Sequence, residues 1–394
     1  MHTSTVLRRL TVGAGSLALV AGLAGCSGSG SSEPSGGLAI VVGAHSNMPA
    51  PSLDGAAQDA LETAVRSQSY LAMVVVDGAP FALDAAGPLL ASDANDVAKK
   101  ADWAKNRRLV AGALDAAAAK AEEADLLTAL DEAARSISSA GGAHTIVVVD
   151  SGLSTVGPLD FRRTGLLDAD PAELAAGLQA AHELPDLAGA DVVFEGLGDT
   201  AAPQPPVGRA QRTNLVAIWT AVAKAAGAGS VTVEESPLGG PATPGLPAVS
   251  VVPVSSGVQC TASTVTLTGG DVAFQPDSAS FVDPAAASQT LKPVARQMVD
   301  AGLTATVSGM TADVGDLAGR RTLSRQRAQA VADVLVALGV PADRMTVAGL
   351  GSEFPGYVQD HDADGNLVAD KAAANRKVVI ELAGASADVT CALG

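Results

Sequence analysis

From Leu38 to Glu234 the chain alternates short apolar runs with longer amphipathic stretches. The runs at Leu38–Val42, Leu71–Val76, His144–Val149, Asp191–Leu197 and Ser230–Glu234 have the length and the Val and Ile content of buried strands. Pro80–Leu83 is placed to fold back on the second run as a hairpin partner. Between the runs, helices are predicted around Leu53–Ser67, Asn106–Ser138, Pro171–His182 and Arg209–Ala226, the Asn106 stretch being rich in the strong helix formers Ala, Leu and Glu. Strands that alternate with helices predict an α/β class: a doubly wound, mostly parallel sheet with helices on both faces.

From about Val265 to Leu382 the rhythm changes to β-α-β-α-β-β, an α+β unit. The stretch "DVAFQPDSASF" offers its first strand. Asp283–Pro284 can cap and start a helix with Leu291, Val294, Ala295 and Met298 on one side, and Pro293 is placed to kink it. "LTATVSG" is an alternating strand, and "TLSRQRAQAVADVLVALG" a helix with Leu323, Ala328, Val331, Ala332 and Leu335 inward and Gly339 as its stop. "RMTVAGLG" is the third strand. Two segments of turn-forming composition separate the ordered parts: "SGSGSSEPSGG", a flexible tether with a reach of about 18 Å as a Gly/Ser coil, and the Pro/Gly-rich residues 237–257, whose Val-rich end could instead form a strand. The expected organisation is residues 1–25 as an export signal, 26–37 as tether, 38–236 as the α/β domain, 237–257 as linker and 258–394 as the second domain.

Composition changes this picture in three ways. Aromatic residues are 3% of 394 while hydrophobic residues are 47%, so the cores must be built from Ala, Val and Leu through many small contacts. At the N-terminus, Arg8 and Arg9 precede a short apolar run, Leu10–Gly22, that ends in "LAGC" at Cys26. The run is too short for a permanent bilayer span and reads as a cleaved signal. Its end resembles the lipobox of bacterial lipoproteins, which implies that Cys26 is diacylated and becomes the mature N-terminus. Cleavage there leaves 23 basic and 42 acidic residues, so the formal charge goes from −17 to −19. Such a chain repels nucleic acid and anionic headgroups, so the lipid and no basic patch must hold it at the extracytoplasmic face of the cell membrane. Two further cysteines, Cys260 and Cys391, are expected to pair in that oxidising setting.

The order of elements in residues 38–236 resembles the von Willebrand factor A fold, by topology and pattern. That family binds a metal through Asp-x-Ser-x-Ser after its first strand; here the stretch is "GAHSNMP", without the leading acid, and Asp150 alone cannot hold Mg²⁺. The carboxyl ends of the strands would gather His45, Ser46, Asn47, Asp77, Asp150, Ser151, Ser154 and residues 198–204, either as a ligand site or simply as loop residues that begin helices. No Gly-x-Ser-x-Gly elbow, phosphate loop or zinc spacing is present, so no enzyme is expected.

In the second domain, "VAF" near the start, Gly309-x-Thr311, "LSRQRA" at Leu323–Ala328, "LGVPADR" at Leu338–Arg344, "GLGSEFP" at Gly349–Pro355 and "NRKVVIEL" at Asn375–Leu382 occur in order. Together they resemble the C-terminal peptidoglycan-binding domain of the OmpA family. The resemblance implies a partner, the peptidoglycan stem peptide, held by its diaminopimelate residue between an anion and an Arg. It carries Arg327 to the cationic place and implies Thr311, Asp313, Asn375 and Arg376 as further ligand-binding residues. The family's Asp directly after Gly-x-Thr is Ala312 here, with Asp313 next door, and the family's Asn before "LS" is Arg320. Two readings stay open: a rearranged loop brings Asp313 or Asp316 to Arg327, with carbonyls and Asp360 as the other option for the ammonium, or the site is degenerate. Separately, Asp360, Asp362, Asp364 and Asn366 in "DHDADGN" alternate as in the first half of a Ca²⁺ loop, but position twelve is Lys371. That pattern fits either a weak Ca²⁺ site or a solvated acidic turn. The function expected is a tether between membrane and wall; the alternative is an envelope assembly factor whose first domain binds a protein partner.

Overall fold

The computed structural model describes residues 35–84, 87–89, 95–255, 257–261 and 263–384. Cys26 and Cys391, the expected acylation site and one expected disulfide partner, lie outside the described residues.

The apolar runs of the first lobe become β1 (Gly36–Gly43), β2 (Tyr70–Val76), β5 (Ala143–Val149), β6 (Asp191–Glu195) and β7 (Ser230–Glu234), with two short strands, β3 (Phe81–Ala82) and β4 (Gly87–Pro88), on the edge. The sheet runs β3-β2-β1-β5-β6-β7, and β4 also pairs with β2. All pairings among β1, β2, β5, β6 and β7 are parallel, whereas β3 and β4 are antiparallel to β2. Because β1 is central and covered on both faces, each of its eight residues is buried, which is why it reads as an unbroken apolar run.

Successive residues of these strands serve opposite cores. Ala39, Val41, Val74, Val148 and Phe194 pack with α3 (Leu126–Ile137), α4 (Pro171–Ala180) and α5 (Arg209–Ala225). Leu38, Ile40, Val42, Met73 and Val149 pack with α1 (Gly55–Ser67) and α2 (Asp96–Ala116). Among so few aromatics, Trp219 is fully buried 6.3 Å from Phe194, and its indole N–H donates to the carbonyl of Gly152 at 2.9 Å.

One expectation fails here. The Asn106–Ser138 stretch is two helices, α2 beginning ten residues earlier and α3 following a break at 117–125. The break is fixed by Asp77, whose carboxylate accepts from the backbone of Lys120 and Ala121, and by Asp125, which caps α3 through the N–H of Thr128. Ala-rich composition conceals such a stop, because Asp77, the acid that holds the break, lies far away in sequence.

The second lobe is a five-stranded sheet, β11-β10-β12-β9-β8. Its strands are β8 (Val258–Thr261), β9 (Thr264–Leu267), β10 (Thr304–Gly309), β11 (Met345–Gly349) and β12 (Val378–Ala383). Only β10 and β11 run parallel. Helices α6 (Pro284–Asp300) and α7 (Leu317–Ala337) close its core with Leu291, Val294, Met298, Val331 and Leu335, and a short α8 (Ala369–Asn375) precedes β12. Asp283 caps α6 by accepting from Ala285 and Ala286. "DVAFQPDSASF" is not the expected strand: it holds one 3-10 turn and an isolated bridge between Phe274 and Phe281, whose rings stack at 4.5 Å. The opening strands are instead the hairpin β8–β9, a short alternating pair.

Of the Pro/Gly-rich stretch, residues 238–252 lie along the carboxyl ends of the first sheet. The side-chain amide of Asn47 donates to Val249 O and accepts from Val249 N at 2.9 and 3.1 Å, and Gln204 does the same for Val252 at 3.0 and 2.7 Å. Each amide thus replaces one rung of a strand ladder.

The candidate wall-binding site and the strapped end of the first sheet

Two glycines bring the second lobe's site together. Gly309 and Gly349 are partners in the β10–β11 register. A Cβ on Gly309 would stand 1.8 Å from Ser324 O, and one on Gly349 2.4 Å from Arg321 O. The bare patch lets α7 lie directly on the strand ends, placing Arg320, Ser324 and Arg327, one helical face, over the loop that leaves β10. Asp316 caps this helix by accepting from Gly319 at 2.8 Å.

Arg327 is buried. Its Nε donates to Ser278 O at 2.8 Å, Nη2 to Gln275 O at 3.4 Å, and the guanidinium lies 5.3 Å from the centre of the Phe274 ring. Burial, followed by repulsion from Arg376 and against attraction from Asp277, brings its pKa down to about 10, so it remains a cation at neutral pH. Neither acid proposed to face it does so. The Asp313 carboxylate contacts Arg320, Asp316 is spent on the helix cap, and the Ala312 side chain is buried.

Asp360 is an internal hub. Its carboxylate accepts from the backbone of Asp313 and from Asn375 Nδ2, each at 3.0 Å, from the Tyr357 hydroxyl, and stands 3.0 Å from His361 Nδ1. Burial, with the Asp360 carboxylate beside it, pushes the Tyr357 hydroxyl up to about 12. Asn375 completes the brace, donating to Val358 O at 2.7 Å and accepting from Val358 N at 2.9 Å. Both side chains therefore shape the loop around the site, with their polar atoms already engaged. Thr311 donates its N–H to Gly351 O at 2.9 Å, while its hydroxyl is buried without a partner among the described residues.

Arg376 points toward the first lobe. Its Nη2 reaches both carboxylate oxygens of Glu173 on α4, at 2.5 and 2.7 Å. The acidic loop turns on itself: Asp362 Oδ1 accepts from Asp364 N and Asn366 N at 2.9 and 2.8 Å, and Oδ2 from the Asn366 amide at 3.2 Å. These donors hold the Asp362 carboxyl below its ordinary range. Since Asp360 faces inward, the alternating acids do not converge, and among the described residues no three His, Cys, Asp or Glu side chains form a metal-holding group.

The structure does bring most of the first lobe's candidates together. His45, Asn47, Asp150, Ser151, Thr200 and Gln204 line a cavity of about 10 Å³, room for a single water, beneath the strap of residues 247–252. His45 Nε2 stands 3.0 Å from Val76 O and Nδ1 3.3 Å from Pro247 O. Asp150 is fully buried, accepts from Gly152 N at 2.6 Å, and has its pKa raised by that burial. Asp77 and Ser154 are instead used for local backbone support, Asp77 in the break before α3 and Ser154 by accepting from Leu126 N.

Sequence reasoning missed one participant and the role of another. Arg320 enters the sequence reading only as the residue in place of the family's Asn; it lies two helical turns before Arg327 on the same face, a periodicity that could have indicated its part at the site. Glu173 has no local signal at all, since it stands 203 positions from its partner.

This lobe is an OmpA-like domain of mixed sheet and helix, and the OmpA family model matches residues 273–366. The chain is similar to outer membrane protein A of Klebsiella pneumoniae, 35% identical over 114 residues, covering 26% of this chain and 33% of that protein. It is also similar to outer membrane protein A of Shimwellia blattae, 35% identical over 108 residues, with 24% and 45% covered. The chain thus spans less than half of these curated relatives. Among solved structures, the peptidoglycan-associated lipoprotein of Burkholderia pseudomallei is 24% identical and covers 30% of this chain and 89% of its own, with a TM-score of 0.23. The periplasmic domain of Helicobacter pylori MotB is 19% identical, with 30% and 74% covered and a TM-score of 0.25.

Proposed function

We propose that the chain is an envelope lipoprotein that acts by binding and not by catalysis. In this reading Cys26 carries the lipid, and the OmpA-like lobe holds the stem peptide of peptidoglycan non-covalently. The observation that carries it is Arg327: a buried cation, fixed by two carbonyls and a ring, at the place where the OmpA resemblance puts the Arg that meets the peptide carboxylate. An Arg so constrained loses little freedom on gripping a carboxylate with two charge-assisted hydrogen bonds. Co-sedimentation of residues 27–394 with purified sacculi is the test, and protein that stays in the supernatant with diaminopimelate-type and lysine-type walls alike defeats it.

The second reading is an assembly factor with a degenerate OmpA-like scaffold. It is favoured by Ala312, which replaces the acid that the OmpA resemblance expects, and by the engagement of Asp313 with Arg320, which turns the neighbouring acid away from Arg327. Retention of an envelope protein by residues 27–394, without sacculus binding, would support it.

A further inference from the structure

The two lobes meet where α8 lies against α4 and the 3-10 turn Leu166–Asp168. Most of that contact is modest. Ala369 and Ala373 supply small apolar surface, Arg163–Asp370 and Arg209–Asp283 are ion pairs at 3.9 Å, and Asp168 accepts from Gly270 N at 2.9 Å. Burial raises the Asp168 pKa, so its charge is held there at a cost. The strong contact is the carboxylate of Glu173 on Arg376.

That contact has the chemistry of the ligand proposed for this site. A stem peptide offers a carboxylate to an Arg; Glu173 offers a carboxylate to Arg376, one of the residues the OmpA resemblance implies for the ligand. The match is incomplete in an informative way. Both oxygens of Glu173 share Nη2, whereas Nη1 of Arg376 is buried without a partner among the described residues. A carboxylate presented squarely would use both nitrogens. Glu173, held by the helix to which it belongs, reaches only one. Asn375, the preceding residue, is locked on Val358 and Asp360, so the backbone at Arg376 is fixed while its head is what changes partners.

We propose that Glu173 is an internal stand-in for a carboxylate of the wall peptide, and that the first lobe thereby gates the Arg376 side of the OmpA-like site. This gate rests on the wall-binding reading above. With the lobes docked, Arg376 is occupied and the first lobe covers it. Wall peptide that takes Arg376 releases Glu173 to water, and the remaining interface, small apolar contacts, long rim pairs and the Asp168–Gly270 hydrogen bond, is left to hold the lobes. The gate makes affinity depend on the undocked fraction: an apparent dissociation constant is the intrinsic one divided by the competent fraction.

The test compares residues 27–394 with Glu173→Gln, Arg376→Gln and the double variant by co-sedimentation with diaminopimelate-type sacculi, with thermal unfolding recorded for each. Glu173→Gln keeps the side chain's shape and removes its charge. If the docked state holds nine-tenths of the population, it should tighten binding by roughly tenfold. Arg376→Gln should weaken binding, and the double variant should match Arg376→Gln because the gate has nothing left to guard. Equal binding by wild type and Glu173→Gln would overturn the gate and leave wall binding standing. Weaker binding by a folded Glu173→Gln would also overturn it, making Glu173 part of the ligand site. Absence of binding by every variant, the released one included, would overturn both the gate and the wall-binding function.

Discussion

Gly309 and Gly349 face each other across the β10–β11 pair, and α7 rests on both. The atoms a Cβ would meet are mainly backbone, which cannot swing aside, so Gly309→Ala must push the helix off the sheet. Overpacking of this kind costs about 1–3 kcal/mol. Urea unfolding of Gly309→Ala should show that loss, with Gly349→Ala close behind. An unchanged midpoint in both would mean that the approach of α7 is not limiting. The same pair explains why "G-x-T" and "GLG" carry family information: they are the contact patch that positions Arg327.

A pH effect follows from Glu195, at the carboxyl end of β6. Burial, with the acids of Asp54, Glu234 and Asp199 adding to it and a hydrogen bond from Asp54 N opposing it, raises its pKa from 4.5 to about 7. Between those values the folded state binds the extra proton, so stability is full below about pH 4.5 and falls as pH rises toward 7. Glu195→Gln keeps an acceptor for Asp54 N and removes the charge. It should leave stability at pH 4 unchanged and raise it at pH 8 by about 1–2 kcal/mol, allowing for water at the edge of the site. Parallel stability curves at both pH values would refute the assignment.

Much of the architecture was legible because its physics is local. Strands buried on both faces must be apolar throughout, and β1, most of β2 and residues Ile146–Val149 of β5 show it; the α6 and α7 faces follow from helical period, and Leu291, Met298, Val331 and Leu335 lie where the period puts them. What could not be read is set by distant partners. The stop between α2 and α3 depends on Asp77, more than forty positions earlier. The 271–281 segment has a strand's composition but spends it on a Phe274–Phe281 stack beneath Arg327. At the site itself, the OmpA resemblance singled out Arg327 on its helix, while the engagement of Asp313 by Arg320 and of Arg376 by Glu173 arises only when loops and lobes assemble.

The acidic loop is a closed turn, since the Asp362 oxygens already receive three donors from Asp364 and Asn366. A calcium titration of the full chain should therefore give no saturable heat below millimolar concentrations, roughly the range of incomplete extracellular sites. Asp362→Ala should loosen the turn and leave the titration unchanged. Saturation at micromolar calcium, lost in Asp362→Ala, would restore the metal reading for Asp360, Asp362, Asp364 and Asn366.

For the cysteines we expect a Cys260–Cys391 disulfide. Cys260 is on β8, the edge strand of the second sheet, and the bond would close the OmpA-like lobe onto its own start. A closed loop of this length contributes about 4–5 kcal/mol in the chain-entropy model, less any strain. Intact-mass analysis of protein made in an oxidising compartment checks it, and two thiols that alkylate without prior reduction would exclude it.

The last expectation separates a working clamp from a relic. Arg327→Ala removes a donor from Ser278 O and Gln275 O as well as any ligand contact, so lost binding in that variant alone is ambiguous. Arg327→Lys retains the charge on a single donor nitrogen but not the planar fork or its stacking on Phe274. If the Arg grips a carboxylate, Lys should restore folding and only part of the affinity. Leaving that carboxylate poorly paired should cost about 1–3 kcal/mol, roughly five- to over a hundredfold in sacculus binding. Asp313→Ala should act less, because the Asp313 carboxylate engages Arg320 and does not face Arg327. Measured in the Glu173→Gln background, where the gate no longer limits access, a folded Arg327→Lys that binds sacculi as tightly as its parent would show that Arg327 braces the 275–278 loop and nothing more, and wall binding would then rest on other residues of the lobe.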